Sequence, residues 1–325
     1  MAAENRARKL AVNAAKVVVT ALIIAVLVRK LGWGTIAGTV SGADPLWLAA
    51  GFAVFLISGG LGVVQWRLLL KNRGLALPGS RAFKLYFVGM FFNNFIMGGI
   101  VGDAVKVASI RSRDGSGKAG FAATFLDRFA GLWAMCGFAA VGSVILLQRG
   151  MITHGRVETA VTALFAAFVL FAGIMLFLTM KPLQSLFFSI IDRFAVLRKF
   201  RVKEIMSEML IEAQDLRLLA AVAALSAVTQ FLRISVHILT AASLGLLTAA
   251  NFQYFFIFVP IIAMMMTVPL PFGVREAAGG ALFALAGFPK EAAFIMGFLA
   301  SLIGIAASML GGVFFVTERM HKSAD

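Results

Sequence analysis

Six stretches of the sequence are apolar and close to the roughly 20 residues that a helix needs to cross a bilayer. The whole chain is 61% hydrophobic, with a mean hydropathy of +0.94, whereas soluble domains are nearer half apolar. These features predict an all-α integral membrane protein. The six stretches lie at about 11–28, 46–66, 119–147, 159–180, 218–246 and 291–316.

Two further apolar stretches are interrupted by residues that weaken or break a helix. The stretch at about 252–288 contains a Pro-x-Pro-x-Gly sequence, and each proline lacks a backbone donor and clashes with the preceding turn. The stretch at about 83–112 contains glycines at the corresponding place. In lipid, broken backbone persists only where it is buried in protein or lines a wet cavity. The residues expected at the two breaks are Gly98, Gly99 and Gly102, and Pro269, Pro271 and Gly273.

The distribution of basic residues favours re-entrant hairpins at both breaks. Cytoplasmic loops carry an excess of Lys and Arg, and a full crossing at 83–97 would place four cations outside, whereas a hairpin keeps them inside. The sequence therefore predicts six full spans plus two oppositely inserted re-entrant hairpins, with eight full spans as the alternative. Both counts place the N- and C-termini in the cytoplasm. The four cations are Lys106, Arg111, Arg113 and Lys118.

The order of these segments occurs twice. Residues of about 11–147 run span, span, broken hairpin, span from the inside, and residues of about 159–316 repeat this order from the outside. Inverted repeats with interrupted segments point to a transport site near the midplane. The main asymmetry is 182–217, which predicts a cytoplasmic amphipathic insert, or alternatively a solvated connector. The chain, 1–325, is expected to be a single polytopic membrane domain.

The basic residues are interpreted as membrane features. The formal net charge is +15, but no nucleic-acid-binding module accompanies it. Trp66 beside Arg67 is typical of an interface anchor, in which an aromatic ring lies next to a snorkelling cation. The expected partner is therefore a membrane lipid, through its headgroup, and not nucleic acid.

Ionisable residues at the breaks and inside the spans, together with the amide of Asn93, are the candidate substrate-binding residues. Asp103 and Glu276 each begin a returning helix, where the helix dipole would stabilise a carboxylate. Freed backbone amides with a nearby cation also form a site for an anion such as a lipid phosphate. Arginine near the middle of a span is costly and should face a cavity or a carboxylate. The candidates are Asn93, Asp103, Lys106, Asp127, Arg128, Arg233, Arg275 and Glu276.

Several chemistries have no sequence support. Three scattered histidines and one cysteine form no zinc motif, and there is no Walker loop or dinucleotide fingerprint. We therefore expect no cofactor, no metal and no enzymatic activity.

Four motifs give the chain a family resemblance. They are the Trp-Arg-Leu-Leu-Leu sequence at 66–70, the Phe-Phe-Asn-Asn-Phe run at 91–95 that leads to Val-Gly-Asp at 101–103, the Leu-Asp-Arg-Phe sequence at 126–129, and Pro-Phe-Gly-Val-Arg-Glu at 271–276. Together they resemble the lysylphosphatidylglycerol synthase transmembrane region family of flippase-like proteins. Met97, Val101 and Phe272 depart from the family pattern.

The resemblance implies a multi-pass protein of the bacterial inner membrane. In the bifunctional namesakes, this region is associated with moving an aminoacylated phospholipid between leaflets, and a separate soluble domain, not seen in this sequence, performs the aminoacyl transfer. We therefore expect a lipid translocator for a phospholipid or glycolipid with a polar or charged headgroup. The alternatives are an intramembrane enzyme that modifies lipid headgroups, and a non-transporting membrane partner of a cell-envelope lipid pathway.

Overall fold

A computed structural model describes residues 40–95, 101–114, 117–150, 215–265 and 274–322, with isolated positions at 34–38 and 159–189. Regular structure in these ranges is helical, in agreement with the predicted all-α class. A 3₁₀ turn at Phe252–Tyr254 precedes α6. The helices are α1 Pro45–Asn72, α2 Gly79–Phe95, α3 Val101–Asp114, α4 Gly117–Gln148, α5 Leu216–Ser243, α6 Phe255–Met265, α7 Val274–Leu285 and α8 Lys290–Lys322.

Four of these helices are long and apolar enough to cross a membrane: α1, α4, α5 and α8. They coincide with four of the six predicted spans, and many of their large apolar side chains are exposed, as expected for lipid-facing surfaces. The multi-pass membrane prediction is therefore confirmed. The predicted spans at 11–28 and 159–180 and the insert at 182–217 fall largely or wholly outside the described residues.

The two interrupted stretches form pairs of shorter helices, α2 with α3 and α6 with α7. The break residues Gly98, Gly99, Pro269, Pro271 and Gly273 lie outside the described residues, so the re-entrant path itself stays a prediction. In the first pair, Gly89 of α2 faces Gly102 of α3, and the two backbones approach so closely that a Cβ on Gly102 would overlap the backbone of Gly89.

The packing of α1–α4 has a counterpart in that of α5–α8. If α1 to α4 are matched in order with α5 to α8, each helix contact in one set has an equivalent in the other. The contact of α2 with α8 corresponds to that of α6 with α4, the contact of α3 with α4 to that of α7 with α8, and the contact of α1 with α4 to that of α5 with α8. The glycines follow the same scheme, because Gly311 of α8 lies on Phe87 of α2, and Gly142 of α4 lies on Phe256 of α6. Helices α1 and α5 pack against each other in the middle. This pattern is typical of two repeats related by a two-fold axis. That the two repeats enter the membrane from opposite sides stays a prediction.

Candidate functional site

The first turn of α3 positions Asp103 for the site. The side-chain oxygen Oδ1 of Asn93, in the last turn of α2, accepts a hydrogen bond of 2.8 Å from the backbone N–H of Gly102. This bond satisfies one of the donors that a helix N-terminus leaves free and joins α2 to α3. Asp103, the next residue, is therefore held at the positive end of the α3 dipole, where a carboxylate is stabilised.

Asp103 is shared by two cations. Lys106 Nζ lies 2.9 Å from Asp103 Oδ1, one turn along α3. From α4, Arg128 donates to both carboxylate oxygens, with Nε at 2.8 Å from Oδ2 and Nη2 at 3.2 Å from Oδ1. Bidentate binding of a carboxylate by arginine gives a strong and directional ion pair. The bridge ties α3 to α4.

Lys106 is the buried member of this group, with only 3% of its side chain exposed. Its ammonium lies 5.3 Å from the ring centroid of Trp66 and 4.8 Å from that of Tyr86, and its aliphatic stem packs on Gly89. Such distances are within cation–π range. The aromatic rings and the Asp103 carboxylate therefore stabilise a charge that would otherwise be costly to bury.

Trp66 is not the interface anchor that its place beside Arg67 predicts. Its side chain is fully buried, and its indole Nε1–H donates to Thr124 Oγ1 at 3.0 Å. The indole N–H requires a partner when it is buried, and α4 supplies one. The ring therefore forms part of the wall of the charged site instead of a membrane-interface belt.

A second set of buried polar side chains lies between α1, α4 and α5. Gln65 donates from Nε2 to Asp127 Oδ1 at 2.9 Å, and its Oε1 accepts from Ser226 Oγ at 2.9 Å. The three side chains are at most 8% exposed. Asp127 and Arg128 therefore bind different partners, as expected for neighbours that point in different directions on a helix.

Helix α5 continues this polar row with Thr229, Gln230 and Arg233. Thr229 Oγ1, Gln230 Oε1 and Arg233 Nε are buried and have no hydrogen-bond partner among the described residues. Gln230 lies over Gly131, one turn along α4 from Asp127. Buried polar atoms without a protein partner are usually satisfied by water or a ligand. The row Gln65, Asp127, Ser226, Thr229, Gln230 and Arg233 is called the polar seam below.

The structure brings together most of the residues singled out from the sequence. Asn93, Asp103, Lys106 and Arg128 form one group, and Asp127 lies in the adjoining polar seam, within electrostatic range of Lys106 and Arg233. The prediction that Gly102 lies at the first break is wrong, because it is the second residue of α3, where the lack of a side chain allows the close approach of α2. The side chains of Arg275 and Glu276 lie outside the described residues, although the backbone places Glu276 third in α7, as Asp103 is third in α3.

Sequence reasoning missed the surrounding shell of Gln65, Tyr86, Thr124 and Ser226. A glutamine inside an apolar span was a usable signal, because polar groups in a membrane helix normally face a partner. In the parts of the chain that the structure describes, no three His, Cys, Asp or Glu side chains cluster as a metal site would require.

Comparison with known proteins gives one family. The model of the lysylphosphatidylglycerol synthase TM region matches residues 13–312, which confirms the resemblance seen in the four motifs. No curated protein matches the chain.

Proposed function

The chain belongs to the lysylphosphatidylglycerol synthase TM region family, and from this premise we propose that it moves a lipid with a charged or polar headgroup between the leaflets of the bacterial inner membrane. In this proposal both termini are cytoplasmic, and the protein transports its lipid without altering it chemically. The substrate is an anionic phospholipid, bound first through its phosphate.

The main support for this proposal is the excess of cations around Asp103. Lys106 and Arg128 share a single carboxylate at the N-terminus of α3, where the backbone dipole adds positive potential. Arg128 uses Nε and Nη2 for Asp103, and its side chain is 49% exposed, so further guanidinium donors remain for a ligand. A phosphate oxygen matches these donors in charge and geometry.

The surface next to Arg128 suits the rest of a lipid. Phe121 and Phe125 precede it by seven and three residues on α4, and both are more than 40% exposed. Their rings form a stacked stripe along the helix, with centroids 6.4 Å apart. A phosphate on Arg128 would leave acyl chains along this apolar stripe, which is the arrangement that an amphiphile needs.

The repeated packing of the two helix sets supports movement around this site. In transporters built from repeats, one set rocks against the other and exposes a central site to each side in turn. Glu276 and Arg275 at the start of α7 are the proposed counterpart to Asp103 in the second set. The headgroup would pass between the two charged helix starts.

The test is lipid translocation in proteoliposomes. We would reconstitute the full chain with a fluorescent phosphatidylglycerol analogue and measure the fraction that a membrane-impermeant quencher reaches over time. Arg128→Ala should slow translocation about tenfold or more, because it removes charge-assisted hydrogen bonds of roughly 1.5–3 kcal/mol. Arg217→Ala is the matched control, since Arg217 is an exposed helix arginine outside the site.

Two results would reject the proposal. The first is wild-type protein that translocates the probe no faster than empty vesicles. The second is an equal rate in the folded Arg128→Ala and Arg217→Ala variants. Mass spectrometry of the recovered lipid checks the chemistry, because a change in lipid mass would favour a headgroup-modifying enzyme.

A further inference from the structure

Asp127 is a buried carboxyl group that makes its direct side-chain hydrogen bond to a neutral partner. Only 8% of the residue is exposed, and Oδ1 accepts from the Gln65 amide. Two of the cations that act on it, Lys106 and Arg128, are already bound to Asp103. Asp127 therefore lies beside the proposed headgroup site without being neutralised by an ion pair of its own.

The groups that face Asp127 carry charges of both signs. Lys106 and Asp103 face it from α3, and the neutral Tyr86 phenol faces it from α2. Arg128 on its own helix and Arg233 on α5 add two further cations. A change in the charge of Asp127 therefore acts directly on the groups that hold the headgroup site together.

The charge on Asp127 changes the electrostatic balance of the headgroup site. The two carboxylates Asp103 and Asp127 and the three cations Lys106, Arg128 and Arg233 carry a net charge of +1 when both acids are ionised. Protonation of Asp127 raises this net charge to +2. An anionic headgroup should therefore bind more tightly to the protonated protein.

The unpaired atoms of the polar seam lie on the face of α5 that also carries Ser226. Thr229 Oγ1, Gln230 Oε1 and Arg233 Nε belong to the α5 row that also contains Ser226, the hydrogen-bond partner of Gln65. Buried polar atoms without a protein partner are usually satisfied by water, and water joined to a hydroxyl and an amide carbonyl could pass a proton along. The satisfied bonds of Gln65 keep the Asp127 end of this row in place.

We propose that Asp127 is a proton-binding site coupled to the headgroup site, so that one proton travels with each monovalent anionic lipid. A proton from water binds a carboxylate oxygen of Asp127 as the phosphate binds near Arg128. After reorientation, the lipid leaves, and the acid returns the proton to water on the other side. Lipid and proton charges cancel, so the joint movement is electroneutral. This inference rests on the proposed translocation function.

The first test is a binding measurement on the purified full chain with short-chain phosphatidylglycerol as the probe. Linkage requires that each ligand strengthens the binding of the other by the same factor, and such factors are typically about 5- to 150-fold. Wild-type affinity should therefore rise by a factor in that range from pH 8 to pH 5. Binding in weakly buffered solution should also take up protons, as measured with an indicator dye.

Asp127→Asn tests the assignment of the proton to this residue. The amide oxygen introduced can still accept from Gln65, so the local hydrogen bond is retained. The variant should bind the probe with the affinity of the protonated wild type, take up no proton, and vary less than about twofold with pH. Asp44→Asn and Asp215→Asn are the controls, because both remove a carboxylate at an exposed helix N-cap, where asparagine caps equally well.

The outcomes separate this inference from the proposed function. Wild-type binding without proton uptake would overturn the coupling while leaving the translocator intact, and this measurement needs no variant. Equal proton uptake in the wild type and in Asp127→Asn would overturn the role of Asp127. In proteoliposomes, a pH gradient should drive net accumulation of the probe for the wild type and not for Asp127→Asn. Absence of probe binding at every pH would reject the headgroup site itself.

Discussion

Substitution of Gly102 by alanine should separate α3 from α2 and displace Asp103. A Cβ at this position would lie 2.6 Å from the carbonyl carbon of Gly89 and 2.8 Å from Cγ of Asn93, and closer still to the Gly89 carbonyl oxygen. Ordinary contact begins near 3.4 Å. Since backbone atoms are involved, the two helices must move apart by more than about 1 Å, and overpacking of this kind destabilises the folded state by roughly 1–3 kcal/mol.

Two smaller effects accompany this separation. Loss of the bond from the Gly102 N–H to Asn93 costs about 1 kcal/mol, whereas alanine gains up to about 1 kcal/mol in helix propensity. The net destabilisation is then up to about 3 kcal/mol, or a Tm lower by roughly 6–12 °C at about 2–4 °C per kcal/mol. Transport should fall as well, because Asp103 moves away from Arg128.

The assay is thermal unfolding of purified protein in detergent, with Gly60→Ala as the matched control. Gly60 lies within α1, and nothing lies within 4 Å of a Cβ built there. This control should leave Tm unchanged or raise it by about 2–4 °C through helix propensity. Equal Tm values for the two variants would refute the close approach of α2 and α3.

Three further predictions use the same unfolding assay. Asp103→Asn should lower the free energy of unfolding by about 3–5 kcal/mol, because it leaves the buried Lys106 without its carboxylate. Adding Lys106→Met should restore most of this stability. A double variant that is as unstable as Asp103→Asn would contradict the pairing. Gly311→Ala should lower Tm by several degrees, since its Cβ would lie 2.8 Å from the backbone nitrogen of Val88; an unchanged Tm would argue against that helix contact. Asp215→Ala should cost about 1 kcal/mol and Asp215→Asn almost nothing, because Asp215 caps α5 through two backbone N–H groups; equal losses would exclude capping.

Much of the fold is encoded in local sequence patterns. Apolar length placed α1, α4, α5 and α8 within about six residues of their observed ends, because a helix in lipid must satisfy its own backbone. Glycine runs and paired prolines marked the two interruptions, because these residues weaken helices wherever they occur. The carboxylates after each break were also visible, since Asp103 and Glu276 follow the breaks directly.

The side-chain partners of the charged residues could not be predicted from local sequence patterns. Asp127 and Arg128 are adjacent in the sequence, yet Arg128 binds Asp103, and Asp127 binds Gln65, which is 62 residues away. Ser226 reaches Gln65 across 161 residues. Helical periodicity shows that neighbouring side chains diverge, but it carries no information on which helix each will face.

The sequence by itself determined the class of this protein, the positions of its long helices and its two interrupted stretches, because apolar length, glycine and proline act locally through the backbone. Only the tertiary structure decided that Trp66 is buried beside Lys106 and that one carboxylate serves two cations. These contacts depend on which helix faces carry small residues and can therefore pack closely. The glycines at 89, 102 and 311 allow the backbones to approach, and that approach brings the charged side chains of separate helices into one site.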